Sequence, residues 1–430
     1  MQDPKDLDLK PGEKSKKTAM LVVAGAFLMM FFANGITLAT AGNYLVSVST
    51  EFGVPISTIS FYLTVQSLVM TCMIPFMGRM MALGNPRLVA TISIVFQVVG
   101  YCLFSVWSAP WGFYISGALI GIGGACICFV ATPLFINSWF RVNVGTYLGI
   151  VTIAPSVGQV IFNPICTNLI AAVGWRTTYL ILGGIAAVGI LTCALFLRNS
   201  PESYNLSAYG TETTDGHSPP ALSGMIPGNV YRSTLFIPLI ITTFILGYCV
   251  SVVTTMVPFV VTSGALTLAQ AGLVGTVAAA SMMVGKLVMG KMYDKFKIAP
   301  VTLFYTILQC IGFVLCVAVY TNTAFLFPAV VIMGIGIGGT GTITMPMVAR
   351  ILYGPKHYSQ FYPKFTIAMG LATALSGFMN NYIYDVTGTY ASIFYIMAAA
   401  SVVGGLIIVY AQSQQAKILS QWDAPAPVKQ

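Results

Sequence analysis

Long apolar stretches constrain this chain more than any other feature of its sequence. Stretches of 20 or more predominantly apolar residues occur twelve times along the 430 residues. Each could cross the ~30 Å hydrocarbon core of a bilayer as a helix, a conformation that satisfies its own backbone polar groups. The predicted spans are 18–47, 56–80, 88–108, 111–139, 144–171, 176–198, 233–262, 268–293, 299–320, 323–350, 359–385 and 389–412. The sequence therefore predicts an all-α membrane protein with twelve transmembrane helices.

Composition excludes several other classes of protein. The chain is 57% hydrophobic and 7% charged, whereas a soluble domain has roughly 25% charged residues. The net charge of +9 comes from basic residues in short loops and not from one face, so no nucleic-acid partner is expected. Both histidines, His217 and His357, fall in predicted loops, and the nine cysteines form no CxxC pair. We therefore expect no enzyme activity, no cofactor and no metal site.

The distribution of basic residues predicts the orientation of the chain. If both termini are cytoplasmic, 18 of the 20 Lys and Arg residues lie on the cytoplasmic side, Arg176 lies outside and Lys286 lies in the membrane. Such an asymmetry is the positive-inside pattern. We therefore expect an integral protein of the bacterial inner (plasma) membrane, monomeric in its lipid bilayer, with both termini cytoplasmic.

A polar segment and an internal repeat divide the chain into halves. The segment 199–232 is rich in Ser, Thr, Pro and Gly and separates six spans from six. Two motifs recur across it, Gly121-Ile-Gly123…Pro133 as Gly334-Ile-Gly336…Pro346 after 213 positions, and Gly78-Arg79 as Gly290-Lys291 after 212. The Gly-rich runs lie in apolar helices and lack a following Lys-Ser/Thr pair, so they predict close helix packing and not phosphate loops.

The repeat predicts two pseudo-symmetric six-helix bundles, an alternating-access architecture with a midplane site between them. The expected domains are a cytoplasmic N-terminal tail (1–17), an N-terminal bundle (18–198), a central cytoplasmic loop (199–232), a C-terminal bundle (233–412) and a cytoplasmic tail (413–430).

Lys286 is the ionisable residue that lies deepest in a predicted span. Eight residues separate it from Asp294, so it lies about 12 Å along the helix from the charged turn that ends the span. A cation at that depth is costly and by default marks a substrate or ion pathway. Alternatively, the side chain extends along the helix and places its amine among the headgroups. Gly285 and Gly290 favour the first interpretation, because they predict close helix contact around the amine.

Polar residues in the first, seventh and tenth spans form a weaker set of candidates. They are Asn34, Thr37, Thr40 and Asn43, at a spacing that predicts one helical face, with Thr254 and Thr255, and Thr340, Thr342 and Thr344. Each alone is more typical of a hydrogen bond between helices than of a ligand. As a set facing Lys286 they are candidate substrate contacts. Lys364 lies about four residues into its span and is interpreted as an interfacial anchor, with a second substrate ligand as the alternative.

The charged turn between the eighth and ninth spans resembles a known motif. Gly290…Asp294-Lys295 is similar to the loop motif of the major facilitator superfamily, in which the Gly lets two helices approach and the Asp caps the next helical region. The resemblance covers nearly the whole chain and implies the major facilitator fold and a transport function. The copy that begins at Gly78 has Ala82 in place of the acidic residue, which argues against a gating salt bridge there.

Within the superfamily, the chain resembles the oxalate:formate antiporter and monocarboxylate porter group. The residues that carry this resemblance are Trp139-Phe140-Arg141 with Gly145 and Gly149, and Val257-Pro258-Phe259. In those porters, an Arg that lies eight residues before the loop Asp binds the substrate carboxylate. Lys286 occupies the position of this Arg. The resemblance also implies that Phe129 packs against the substrate.

Two departures from that group change the expected substrate and coupling. Met369 occupies the position of a second cation in the eleventh span, so a dianion such as oxalate would lack a partner. Met282 occupies the position of an Asp that many proton-coupled porters carry, and no acidic residue lies in the interior of a span. We therefore expect a carrier of a small organic anion, most simply a monocarboxylate, working by exchange, by proton symport through Lys286, or by uniport. The alternatives are a carrier of another solute with a structural Lys286, or a non-transporting sensor.

Overall fold

The computed structural model describes residues 11–140, 144–204, 206–210, 224–354, 358–420 and Trp422. The expected tails (1–17 and 413–430) and central loop (199–232) therefore lie partly outside the described residues, as do Arg141 and both histidines. Within described helices, the side chains of Asp294 and Thr342 are also outside the description.

Helices form nearly all of the described chain. They are α1 (Pro11–Met29), α2 (Gly35–Thr37), α3 (Leu45–Phe52), α4 (Ile56–Leu83), α5 (Pro86–Leu103), α6 (Pro110–Gly124), α7 (Thr132–Trp139), α8 (Val144–Phe196), α9 (Pro227–Arg232), α10 (Phe236–Val250), α11 (Val252–Thr262), α12 (Leu268–Lys295), α13 (Ile298–Ala318), α14 (Leu326–Gly339), α15 (Met345–Tyr353), α16 (Tyr358–Thr387), α17 (Ala391–Ser413) and α18 (Gln415–Leu419). The predicted all-α class is confirmed for this part of the chain.

Nine helices in the described residues are long and apolar enough to cross a membrane, and Thr323–Gly339 is a shorter apolar helix. One of the nine, Gly149–Gly189, covers parts of two predicted spans. The helix α8 that contains it is interrupted at Gly174, whose φ of 81° and ψ of 164° are not helical. The long helix α16 is not among the nine. The count of twelve spans therefore stays a prediction.

The chain forms two compact units. Unit 1 comprises Met1–Tyr44 and Leu68–His217, and unit 2 comprises Leu45–Ser67 and Ser218–Gln430. Unit 2 thus includes α3 and the first part of α4, although both precede most of unit 1 in sequence. The division between His217 and Ser218 falls within the expected central loop (199–232), whereas residues 45–67 are grouped with the second half of the chain. The expected domain bounds stay a prediction.

Each unit contains the same close helix contact at the positions of the internal repeat. In unit 1, a side chain at Gly123 would meet the Ser93 carbonyl oxygen at 2.1 Å and the Gln97 side chain at 2.7 Å. In unit 2, a side chain at Gly336 would meet the backbone of Gln309 at 2.7 Å. Gln97 and Gln309 are themselves 212 positions apart. The Gly-rich runs therefore allow helices to pack closely, as the sequence predicts.

The first predicted span differs from the regular helix that the sequence suggests. A π-helix covers Met30–Asn34, the short α2 follows, and a 3₁₀ helix covers Ala41–Tyr44 before α3 begins. Asn34, Thr37, Thr40 and Asn43 therefore do not share one face of a regular helix. Among the described cysteines, Cys72 is exposed.

Candidate functional site

Lys286 lies on α12, inside the membrane-spanning stretch Leu268–Tyr293. Seven residues, or about 10 Å of helix, separate it from Tyr293. The side chain is half-buried, whereas Val284, Leu287 and Val288 form an exposed stripe on the same helix. At 100° per residue, Lys286 points about 150° away from the centre of that stripe. The amine is therefore turned away from the exposed surface of α12.

Among the side chains that the structure describes, none forms a hydrogen bond or an ion pair with Lys286. Its neighbours on the helix are apolar or lack a side chain, and they include Met282, Met283 and Met289. A half-buried ammonium group without a partner is unfavourable. An anionic group beside it would relieve this cost.

Close packing on α12 occurs on one side of Lys286 and not on the other. A side chain at Gly285 would lie 2.3 Å from the carbonyl oxygen of Ile335 on α14, and the Tyr305 hydroxyl donates a 3.1 Å hydrogen bond to the Gly285 carbonyl. Around Gly290, by contrast, an added Cβ meets no described atom within 4 Å. The sequence predicts a close helix contact at both glycines. The prediction is confirmed at Gly285 and is wrong for Gly290.

The same face of α12 contacts a π-helical segment, Thr340–Thr344, that continues α14. The hydroxyls of Tyr293 and Thr344 lie 3.0 Å apart, and the Thr344 hydroxyl lies 3.8 Å from the sulfur of Met289. The Thr340 hydroxyl donates to the Gln309 side-chain oxygen at 3.2 Å. Met289 lies about one helical turn after Lys286, so the contacts of Thr344 hold α12 against this segment close to the lysine.

Among the described residues, π-helical segments also cover Met30–Asn34 and Ala125–Ala131. The segment at 340–344 corresponds to 127–131 at the 213-residue offset of the repeat. Pro133 and Pro346 each follow a segment by two residues, and a proline cannot donate a hydrogen bond to the carbonyl four residues earlier. A wider turn accommodates this lost bond, and such turns are frequent at functional sites. Sequence reasoning missed all three segments, and the two prolines are the signal that could have found the pair at the repeat positions; no proline follows Met30–Asn34 in this way.

The two π-helices of unit 1 meet through Asn34. Its side-chain nitrogen lies 3.1 Å from the sulfur of Cys128 and 3.0 Å from that of Met30. Its oxygen accepts a 3.1 Å hydrogen bond from Gln97, whose own buried side-chain oxygen has no partner among the described atoms. Asn34 is therefore engaged in contacts between helices, and so are Thr40, Asn43 and Thr255.

The other candidates occupy varied environments. Thr37 is buried and donates to the Ala33 carbonyl at 2.7 Å, and Thr254 donates to the Ser251 carbonyl at 2.8 Å. Phe129 is 44% exposed although its π-helix is otherwise largely buried. Met369 is half-buried, and a side chain at Gly247 would meet it at 3.0 Å. The candidates Asn34, Thr37 and Phe129 belong to unit 1, and Lys286, Thr254, Thr342 and Met369 belong to unit 2.

Two further lysines differ from Lys286 in exposure. Lys295, in the charged turn, is exposed. Lys364 is exposed too, and its amine lies 6.0 Å from the centre of the Tyr231 ring. The anchor interpretation of Lys364 therefore stays a prediction.

A carboxylate contact that the sequence does not reveal joins residues 328 positions apart. One oxygen of Asp385, near the end of α16, accepts a 2.9 Å hydrogen bond from the backbone N–H of Ser57. Ser57 lies in the first turn of α4, where N–H groups have no partner within the helix. Nearby, the rings of Phe61 and Phe378 meet edge to face at 5.6 Å. Asp385 therefore caps the start of α4 within unit 2.

Comparison with protein families gives a match over most of the chain. The matching family model, described as Major Facilitator Superfamily, covers residues 23–362 and, in a second match, 239–429. Two curated relatives are similar to parts of the chain. One is an uncharacterized MFS-type transporter, YcxA, of Bacillus subtilis (strain 168), 36% identical over 29% of this chain and 28% of the relative. The other is an MFS-type transporter of Gibberella moniliformis (strain M3125 / FGSC 7600), 26% identical over 54% of this chain and 53% of the relative. These matches span about a quarter to a half of the relatives' length.

Solved structures share the fold at low sequence identity. A point mutant of the nucleoside transporter NupG aligns with a TM-score of 0.72 at 10% identity, over 92% of this chain and 99% of that one. A bacterial homologue of the human lysosomal transporter Spinster, inward-facing and occupied, aligns with a TM-score of 0.65 at 13% identity, over 97% of this chain and 100% of that one. At these identities the similarity shows the fold alone.

Proposed function

This chain belongs to the major facilitator superfamily, and on that premise we propose that it carries a small organic anion across the membrane with Lys286 as the counter-charge. The family and its transporter relatives identify a membrane transporter and not an enzyme. The class of the substrate and the role of Lys286 are the proposal. The expected topology, with twelve spans in two bundles and both termini cytoplasmic, is part of it.

The environment of Lys286 carries this proposal. The amine is half-buried in an apolar helix, is turned away from the exposed stripe, and has no partner among the described side chains. A carboxylate placed there would form a charge-assisted hydrogen bond, which is about twice as strong as a neutral one. An amine that only extended to the headgroups would not need to turn away from the exposed face.

A single charge on the substrate follows from the residue that stands where the related porters have a second cation. Met369, at the position of a second cation in the related porters, packs beside Gly247 and offers a thioether without charge. A second carboxylate would therefore enter the membrane unpaired, at a large cost. This supports a monocarboxylate over oxalate as the substrate.

The remaining contacts are proposed with different weight. Phe129 is exposed despite its place in a π-helix, so it is available to pack against a ligand. Asn34, Thr37 and Thr254 already hold hydrogen bonds or sulfur contacts, so each would exchange one of these to bind substrate. Thr342 completes the proposed set. In the gating turn, Asp294 and Lys295 are proposed to act as the family motif does. Gly290, where an added Cβ meets no described atom within 4 Å, is not proposed to bring two helices together there.

Coupling follows from the same amine. An unpaired charge is costly in the membrane, so the empty carrier would return with another anion bound or with the amine neutral. The first case is anion exchange, and the second is proton symport through Lys286. Exchange requires no change in the protonation of Lys286, and we propose it as the mechanism.

Uptake of labelled monocarboxylates into proteoliposomes tests both the function and its coupling. Vesicles are prepared with and without internal substrate at equal pH, and an inward proton gradient is then imposed. Stimulation by internal substrate that does not depend on the gradient supports exchange. Gradient-driven accumulation in empty vesicles would exclude exchange and favour proton symport. No uptake of any monocarboxylate, alongside uptake of a neutral solute, would contradict the proposed substrate class.

A further inference from the structure

Unit 2 contains a cavity of about 260 Å³, separate from the Lys286 region. It lies where the end of α9, the start of α10 and the short α18 meet. Polar and basic residues form most of its lining, namely Asn229, Arg232, Ser233, Thr234, Gln414 and Lys417. Its chemistry is therefore unlike that of the apolar helices around it.

The charges in this cavity suit an anion. Arg232 and Lys417 are both exposed, and neither forms an ion pair or a hydrogen bond with another described side chain. No carboxylate is among the described residues that line the cavity. Guanidinium groups in particular match the geometry of phosphate oxygens.

The depth of the cavity identifies the source of that anion. The membrane-spanning stretch Phe236–Thr262 begins directly after Leu235, which also lines the cavity. The cavity therefore lies where the apolar part of the helix begins, at the level of the lipid headgroups. Apolar side chains are exposed from there onwards, with Ile237 at 67% and Ile241 at 48% on α10. A ligand with a phosphate group and an acyl chain fits both features.

We propose that this cavity binds the phosphate of an anionic phospholipid, with Arg232 and Lys417 on the headgroup and Ile237 and Ile241 along an acyl chain. Basic pockets at helix ends of membrane proteins recognise anionic headgroups in this way. The proposal requires only that the chain spans a membrane, so it is independent of the role of Lys286. A soluble phosphate compound shares the headgroup chemistry but has no acyl chain.

Native mass spectrometry and thermal unfolding of the full-length protein in detergent test the proposal. Dioleoyl phosphatidylglycerol should add in a saturable way and raise the unfolding temperature, and dioleoyl phosphatidylcholine should do neither. Each cation near an anionic surface contributes about a fivefold gain in affinity. The double variant Arg232→Gln, Lys417→Gln should therefore bind phosphatidylglycerol about thirtyfold more weakly.

Two controls make the result specific. Lys16→Gln with Lys297→Gln also removes two exposed cations, neither of which lines the cavity, and should bind the lipid as the unmodified protein does. Equal lipid binding by both double variants would overturn the site. If millimolar inorganic phosphate stabilised the protein as much as the lipid does, the lipid assignment would be wrong. Unfolding temperatures without lipid verify that both variants fold.

Discussion

Replacement of Lys286 by Met tests the proposed counter-charge with two opposite effects. The variant keeps a long apolar side chain but leaves a substrate carboxylate unpaired. Loss of one partner of a buried charged pair costs about 3–5 kcal/mol. Because Lys286 is half-buried, we expect the lower end of this range, about 3 kcal/mol, or roughly a hundredfold loss of affinity for a monocarboxylate.

Stability should change in the other direction. No described side chain pairs with the Lys286 amine, so Lys286→Met removes a costly charge without leaving a partner exposed to an apolar environment. The unfolding temperature of the purified variant should therefore equal or exceed that of the unmodified protein. A structural lysine would show the opposite result, because its loss would lower that temperature.

Uptake into proteoliposomes, together with thermal unfolding in detergent, measures both effects. Lys364→Met is the matched control, because Lys364 is exposed and its amine lies 6.0 Å from the Tyr231 ring. At an exposed site such a contact contributes about 0.5–1 kcal/mol to stability. Because Lys364 is not one of the proposed substrate contacts, uptake should be nearly unchanged. Normal uptake by Lys286→Met, at equal protein density in the vesicles, would refute the counter-charge.

Three other predictions concern the substrate and the packing. Unlabelled monocarboxylates should compete for uptake more strongly than oxalate, whose second charge lacks a partner; tighter competition by oxalate would contradict this. Gly285→Ala should lower the free energy of unfolding by about 1–3 kcal/mol, because its Cβ would lie 2.3 Å from the Ile335 carbonyl oxygen. Gly290→Ala should be neutral or stabilising in the same denaturation experiment, since Ala favours helices over Gly by about 1 kcal/mol, and equal losses in both variants would refute the packing argument. Asp385→Ala should cost about 2 kcal/mol through the lost charge-assisted bond to Ser57, whereas Asp385→Asn should retain part of it, and an unfolding temperature unchanged in both would exclude the cap.

Local patterns in the sequence predict some features of this protein well. Apolar length gives the helical membrane class, because a span must satisfy its own backbone polar groups. The Gly-rich repeat predicts the close contacts at Gly123 and Gly336, since a helix can approach its neighbour only where a side chain is missing. The depth of Lys286 follows from counting residues to the charged turn.

Features that depend on a partner distant in sequence are not predictable in this way. The same residue type at Gly285 and Gly290 gives a tight contact in one case and open space in the other, because only Gly285 faces α14. The cap on α4 joins Ser57 to Asp385 across 328 positions. The sequence around either residue does not indicate that the other is its partner. The spacing of Asn34 and Thr37 suggests a regular face, but that inference assumes an unbroken α-helix.

The π-helical segments also affect how this chain tolerates insertion and deletion. Each segment holds a residue more than an α-helical path of the same rise would need. One residue corresponds to about 100° of rotation, so the side chains of α15 are out of phase with those of α14 by that amount. A single deletion within 340–344 would restore a continuous α-helix and rotate α15 as a rigid rod, moving Val348 and Leu352 off their buried face. The side chains of α7 and α15 therefore follow a helical phase that starts near Pro133 and Pro346 and does not continue the phase of α6 and α14.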